Sequence, residues 1–140
     1  MLKKINPIID PELLYILAKM GHGDEVVLSD IHFPAYSIND KVLQARSCEV
    51  SDLAEAISSL IELDQYVPDK AVMMSTIGDD VHPAGMIDEY RASLAEDTEI
   101  CFIDRFAFYE RACKATCVVV TGTTRKYGNL ILKKGVTPTN

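Results

Sequence analysis

Apolar residues recur along this chain in two rhythms, and the points where one gives way to the other predict its elements. Asp10-Pro11 reads as a helix start, with Asp at the N-cap and Pro at the first helical position. Leu13, Leu14, Leu17 and Ala18 follow at helical spacing, and Gly21 stops the helix. The turn Gly21-His22-Gly23-Asp24 leads into Glu25 to Ser29, a β-branched run expected to form a mostly buried strand. From Ile31 to Val50 the pattern breaks up around Pro34 and Asn39-Asp40, which predicts a long loop with room for one short strand. Ser51 is placed to cap a second helix, whose inner face carries Leu53, Ala56, Ile57, Leu60 and Ile61. Ala71 to Thr76 reads as a second buried strand.

His82-Pro83 opens a third predicted helix that runs through Met86, Ile87, Tyr90 and Leu94 to about Ala95. Ile100 to Ile103 is a short strand. A fourth helix is expected over Arg105 to Ala115, with Phe106, Tyr109, Ala112 and Cys113 as its inner stripe. Cys117 to Thr121 is strongly β-branched. After a turn from Gly122 to Gly128, Leu130 to Leu132 makes a last strand, and Gly135 to Asn140 is a tail. Helices alternating with short buried strands predict a single α/β domain over residues 1–140, a sheet covered on both faces. The last two strands are too close in sequence for a crossover helix. They are expected to pair as an antiparallel hairpin, which makes the sheet mixed.

Bulk composition narrows the partners. With 14 basic against 21 acidic residues the net charge is −7, a surface that repels phosphate backbones and anionic lipid. Nucleic acid and membrane are therefore not expected partners. The basic pairs Arg125-Lys126 and Lys133-Lys134 read as a solvated strand end or a local anion contact. No stretch approaches the roughly 20 apolar residues of a spanning helix, and Met1 to Asp10 lacks the apolar run of a signal peptide. The four cysteines have no CxxC spacing, so they read as small core residues in a reducing compartment. The cytoplasm is the expected location.

Candidate chemistry begins at Gly21-His22-Gly23-Asp24. Two glycines let the backbone turn sharply and leave an imidazole open to a ligand, with an ordinary pKa near 6.5. The competing reading is a helix-end histidine interacting with the dipole. Asp30 and His32 lie just past a predicted strand end, where open α/β sheets place ligands. Asp30 could take a sugar hydroxyl or orient an imidazole, or could simply close an Asx turn with His32 stacked on Phe33. His22, Asp30 and His32 are of zinc-binding type, but a third strong ligand is lacking and His82 reads as a helix-start neighbour, so no metal is expected. Arg105 stands at a helix N-terminus, against the dipole, which leaves it either gripping ligand oxygens or paired with Asp104 or Asp24. In Lys126-Tyr127-Gly128-Asn129, Gly128 permits close backbone approach, while Tyr127 and Asn129 offer a phenol and an amide; plain turn chemistry explains the same residues. There is no nucleotide motif.

Taken together, these segments resemble the fucose-mutarotase branch of the ribose-pyranase/fucose-mutarotase family. The resemblance is carried by Met20-Gly21-His22-Gly23-Asp24-Glu25, Ser29-Asp30, His32-Phe33-Pro34-Ala35, Arg105-Phe106-Ala107-Phe108-Tyr109-Glu110-Arg111 and Lys126-Tyr127-Gly128-Asn129, and it runs almost end to end. It implies interconversion of the L-fucose anomers by acid–base chemistry without a cofactor. It also implies a ring-built homo-oligomer, often a decamer, with sites at subunit boundaries. Carried over by position, His22 is the proton donor, and Asp30, Arg105, Tyr127, Gly128 and Asn129 bind the monosaccharide; from its chemistry, Asp30 is also expected to act in catalysis, receiving or orienting the anomeric proton directly or through a water. Ribose-type relatives carry histidine near the place of Arg105, which favours the fucose branch. Tyr36 departs from the family pattern, which has a second histidine there. Ribose pyranase activity and a non-catalytic sugar-binding accessory of an uptake system are the alternatives. All of this asks that His22 face Asp30 across a pocket wide enough for a monosaccharide.

Overall fold

Side-chain alternation along the central strands divides the molecule into two cores. The computed structural model describes residues 1–139, so Asn140 of the expected tail lies outside the described residues. The elements run α1 (Pro11–Lys19), β1 (Glu25–Ser29), α2 (Ala35–Ile38), β2 (Val42–Ala45), α3 (Val50–Ser58), β3 (Ala71–Met74), α4 (Met86–Ala92), β4 (Cys101–Ile103), α5 (Arg105–Lys114), β5 (Cys117–Thr121) and β6 (Leu130–Lys133). Val26 and Leu28 of β1 point into one core with Met73, Val119, Leu130 and Leu132, beneath Leu13 and Leu17 of α1, Leu53 and Ile57 of α3, and Tyr90 of α4. Val27, Val72, Val118 and Ile131 point the other way, against Phe108 and Ala112 of α5 and Ala35 of α2. Strands buried on both faces read as continuous apolar runs, which is why the sequence shows Glu-Val-Val-Leu-Ser and Cys-Val-Val-Val-Thr rather than alternation.

The six strands lie in the order β2-β5-β1-β6-β3-β4. β1 and β2 both run parallel to β5, and β3 runs parallel to β4. β6 is antiparallel to β1 on one side and to β3 on the other, Ile131 standing opposite both Val27 and Val72. The sheet is mixed, as expected, but the expected β5–β6 hairpin does not form. β1 lies between those strands, because β6 joins the two parallel halves of the sheet and buries Leu130, Ile131 and Leu132 on both sides by doing so.

Other local expectations are corrected in the same way. Asp10 does cap α1, its carboxylate accepting the Leu13 N–H at 2.7 Å, but the buried stripe is Leu13, Ile16 and Leu17, with Ala18 exposed. The 31–50 segment holds a short helix as well as a strand. α3 is capped from Glu49, whose N–H goes to Asp52 at 3.2 Å, while Ser51 reaches across to Glu89. α4 starts at Met86, after a left-handed Gly85, so His82-Pro83 precedes it as coil. In α5 Phe108 and Ala112 face inward, whereas Phe106 is 69% exposed and Cys113 is exposed. Of the cysteines only Cys117 is fully buried, and burial pushes its thiol up to about 12. The basic pairs read from sequence as a solvated strand end or an anion contact find partners within the chain: Arg125 pairs with Glu89 at 2.6 Å, Lys133 with Asp69 at 3.5 Å, and Lys134 donates to the Met20 carbonyl at the end of α1 at 2.6 Å. Among the described residues no helix is long and apolar enough to cross a membrane.

Leu28 is fully buried in β1, one of the two central strands. Leu28→Ala should therefore cost about 2–5 kcal/mol of stability in urea unfolding followed by far-UV circular dichroism, with the midpoint moved and the slope unchanged.

Candidate active site

The carboxyl ends of β1, β3, β4 and β5 and the start of β6 meet at one edge of the sheet, and the loops leaving them surround a cleft of about 330 Å³. That volume is at the small end of the range for small-molecule sites. Asp30 forms its floor, one residue past β1. It is only 2% exposed, and a carboxylate taken so far from water needs donors. The His32 N–H gives one at 2.9 Å and the Gly128 N–H another at 3.1 Å. Burial still prevails and holds the Asp30 carboxyl above the ordinary aspartate value, with those two amides pulling it part of the way back. The Asx turn considered from sequence is present, and it coexists with an opening onto the cleft.

Asn129 is 4% exposed and accepts the Asp30 N–H through its Oδ1 at 2.9 Å. This bond assigns the amide orientation and turns Nδ2 to the cleft as a donor. Gly128 does not line the cleft. Its N–H is committed to Asp30 and its carbonyl to the phenol of Tyr90 at 3.0 Å, and an added Cβ would stand 3.0 Å from both the Arg125 carbonyl and that phenol. The glycine serves close packing around Asp30, rather than the close approach to ligand expected from sequence. Tyr127 lines the cleft with a left-handed backbone, φ 62°. Phe33 and Tyr109, ring centroids 5.7 Å apart, supply an apolar wall.

Arg105 reaches the cleft from the first turn of α5. Asp104 caps that helix by accepting the Phe106 and Ala107 N–H groups at 2.9 and 3.0 Å, which supplies the negative charge an N-terminus favours and tolerates an arginine beside it. Neither Asp104 nor Asp24 pairs with Arg105; among the described residues its guanidinium has no carboxylate partner, lies 4.8 Å from the Phe106 ring and faces the cleft. Arg111, the other end of the same segment, is structural, binding Glu25 and, at 3.1 Å, Asp69. His32 turns its Nε2 to the Thr124 carbonyl at 3.0 Å, and Phe33 packs on Phe108 and Tyr109 instead of on His32. Tyr36 is 71% exposed and accepts from Gln44, away from the cleft. Among the described residues no three His, Cys, Asp or Glu side chains gather as a metal site would require.

His22 is not in this cleft. Its turn precedes β1 and Asp30 follows it, so the length of the strand, on the order of 15 Å, separates them. The expected confrontation of His22 and Asp30 does not occur within one chain, because a strand carries its two ends to opposite edges of the sheet. The turn is built as expected, Gly23 holding φ +89° and Asp24 accepting the Gly21 N–H at 2.8 Å. The imidazole is 49% exposed, and its Nε2 lies 3.1 Å from the buried carboxylate of Asp64. Burial opposes the charge on Asp64, but the Tyr66 N–H, His22 and Lys133 outweigh it and hold the carboxyl below the ordinary value. The pair fixes Nε2–H toward Asp64 and leaves Nδ1 for a ligand. Asp64 is a residue that sequence reading misses: it is 42 positions from its partner, in a segment with no periodicity.

Residues 3–137 match the RbsD / FucU transport protein family. The chain belongs to that family. It is 38% identical to FucU from Bifidobacterium longum, covering 97% of this chain and 100% of that one with a TM-score of 0.92. It is 37% identical to a fucose mutarotase from Streptococcus pneumoniae solved in complex with L-fucose, covering 98% and 100% with a TM-score of 0.89. Bacillus subtilis RbsD complexed with D-ribose, at 21% identity and a TM-score of 0.77, shares the RbsD / FucU fold over 99% of this chain and 100% of its own.

The raised Asp30 has a definite sign for stability. Its folded pKa lies above the unfolded one, so the folded state holds its proton more tightly, and this residue's contribution falls as pH rises above about 3.8 and through the folded value. Carboxyl ¹³C titration should place the Asp30 midpoint above the ordinary 3.8. A midpoint at or below it would mean that the two amides outweigh burial.

Proposed function

We propose that this chain is a cytoplasmic L-fucose mutarotase, an isomerase that interconverts the α and β anomers by general acid–base catalysis and needs no cofactor. The observation that carries the proposal is the cleft itself: a buried carboxylate, the Asn129 amide and an unpaired Arg105 converge on a space of monosaccharide size, in a chain 37% identical to a fucose mutarotase that holds L-fucose.

Mutarotation removes a proton from the anomeric hydroxyl, delivers one to the ring oxygen, and reverses both steps after the open-chain aldehyde has rotated. Asp30 accepts the anomeric proton, directly or through a water, and its raised pKa makes it a stronger base than an exposed aspartate. Arg105, Tyr127 and Asn129 hold the other hydroxyls so that the reacting centre is aligned. His22, as an imidazolium whose Nε2–H is held by Asp64, gives the ring oxygen the proton on Nδ1 and takes it back when the ring recloses. Since His22 and Asp30 stand at opposite ends of β1, the acid must come from a second copy of the chain. This supports a site at a subunit boundary and a closed ring of copies, which we propose to be a decamer. The alternative of a non-catalytic sugar-binding accessory would use the same cleft, and the ribose-type activity would differ at Arg105.

His22→Ala should slow anomer exchange of L-fucose by about 10²–10⁴-fold in saturation-transfer NMR while fucose still binds the cleft. An unchanged rate removes His22 from the mechanism, and binding without any acceleration in the native protein favours the accessory. Mixing His22→Ala with Asp30→Asn subunits should restore activity that neither variant has alone, since some boundaries then carry both native groups; no recovery after subunit exchange would place the acid and the base in one chain. EDTA should leave the exchange rate unchanged.

A further inference from the structure

The segment from Ile77 to His82 has no part in the mechanism above, yet it controls the direction of one hydrogen bond in the cleft. The phenol of Tyr127 donates its proton to Asp80 Oδ2 at 2.7 Å, and its oxygen accepts the Ile77 N–H at 3.2 Å. The Tyr127 bond and then the charge of Lys126, whose ammonium is 3.6 Å away, hold the Asp80 carboxyl below the ordinary aspartate value, so it is an ionised acceptor at neutral pH. His82 closes the arrangement from the other side: its ring packs 5.7 Å from that of Tyr127 and 5.4 Å from that of Phe102, and its Nε2 lies 2.9 Å from the Met74 carbonyl at the end of β3. A tyrosine hydroxyl has one proton and two lone pairs. Here the proton and one lone pair are spent on the 77–80 segment, and one lone pair is left.

We propose that Asp80 is a positioning residue that determines specificity by fixing Tyr127 as a hydrogen-bond acceptor, so that the sugar must present a hydroxyl proton to it. The rest of the cleft is consistent with such a code. Asp30 can only accept, Arg105 can only donate, and Asn129, its oxygen engaged by the Asp30 N–H, offers donors. A sugar therefore meets acceptors at Asp30 and Tyr127 and donors at Arg105 and Asn129. An analogue whose hydroxyl opposite Tyr127 is replaced by fluorine sets two acceptors against each other and is rejected. The inference rests on the reading of the cleft as a fucose site.

The test uses the intact protein and L-fucose analogues fluorinated singly at C2, C3 or C4, with binding measured by titration calorimetry and expressed as the ratio to fucose. In the native protein one analogue should bind about tenfold more weakly or worse, and in Tyr127→Phe that ratio should collapse, which identifies the hydroxyl facing the phenol. In Asp80→Ala the phenolic proton is released to turn into the cleft, and the same ratio should fall several-fold. Asp80→Asn, whose amide oxygen still accepts that proton, should keep it. Loss of packing alone would weaken fucose and all three analogues together and leave the ratios unchanged, which overturns the proposal, as does a Tyr127→Phe variant in which no ratio moves. Should Asp80→Ala not fold, Asp80→Asn decides: a ratio retained supports the proposal and a ratio lost overturns it. Native protein that binds fucose with these ratios but does not speed anomer exchange refutes the mutarotase reading and leaves the role of Asp80 standing; native protein that binds no fucose refutes both.

Discussion

A carboxylate that is almost wholly removed from water keeps its charge only if the surrounding backbone supplies donors, and in this protein that demand falls on Asp30. Its donors come from the next turn of its own segment and from Gly128, 98 residues away. Asn129 returns the bond by accepting the Asp30 N–H, and Tyr90 grips the far side of the Gly128 peptide from α4. The loop after β1, the loop before β6 and a helix on one face of the sheet are thus joined through one charged group. Loosening any of the three would leave a buried charge short of partners, a costlier defect than the loss of an ordinary hydrogen bond. The same bonds leave the outer lone pairs of Asp30 exposed to the cleft. Stability and chemistry use one arrangement.

The antiparallel β6 makes this arrangement possible. Had the last strand paired with β5 as a hairpin, Gly128 and Asn129 would sit beside β5 rather than between β1 and β3. By inserting between the two parallel halves, β6 brings its amino end to the same edge as the carboxyl ends of β1 and β3. That edge then collects Asp30, Asn129, Met74 and, from the start of α5, Arg105. The opposite edge collects a different set: the His22 turn, Asp64 and Lys134, whose ammonium ties the end of α1 to β6. The two sets are spatially exclusive within one chain, which is the physical basis of the proposed site at a boundary between copies.

How much of this was legible before folding can be judged from individual residues. β1 and β5 were read to the residue, because β-branched runs that are buried on both faces have no competing interpretation at that length. The α1 start was equally plain, since Asp10 and Pro11 act through their nearest neighbours. α4 was placed four residues too early, as Pro83 suits a first helical turn locally while the left-handed Gly85 that precedes the true start leaves no trace in an apolar pattern. In α5 the periodicity admitted two faces, and only packing against β1 and β3 chose Phe108 over Phe106.

The sequence by itself determined the parts whose physics is local: the alternation of helices and buried strands, the sharp glycine turn that exposes His22, the carboxylate at a strand end, and an acidic, span-free chain. Tertiary structure alone decided strand order, the insertion of β6, the distant partners of Asp30, the Asp64 behind His22 and the Asp80 bonded to Tyr127. The reason is distance along the chain. Capping, turns and periodicity act over two to four residues and can be read from neighbours, whereas the bonds of Asp64 to His22, of Tyr127 to Asp80 and of Gly128 and Asn129 to Asp30 join residues 42 to 99 apart, and which distant segments meet is settled only when the whole apolar surface has been buried.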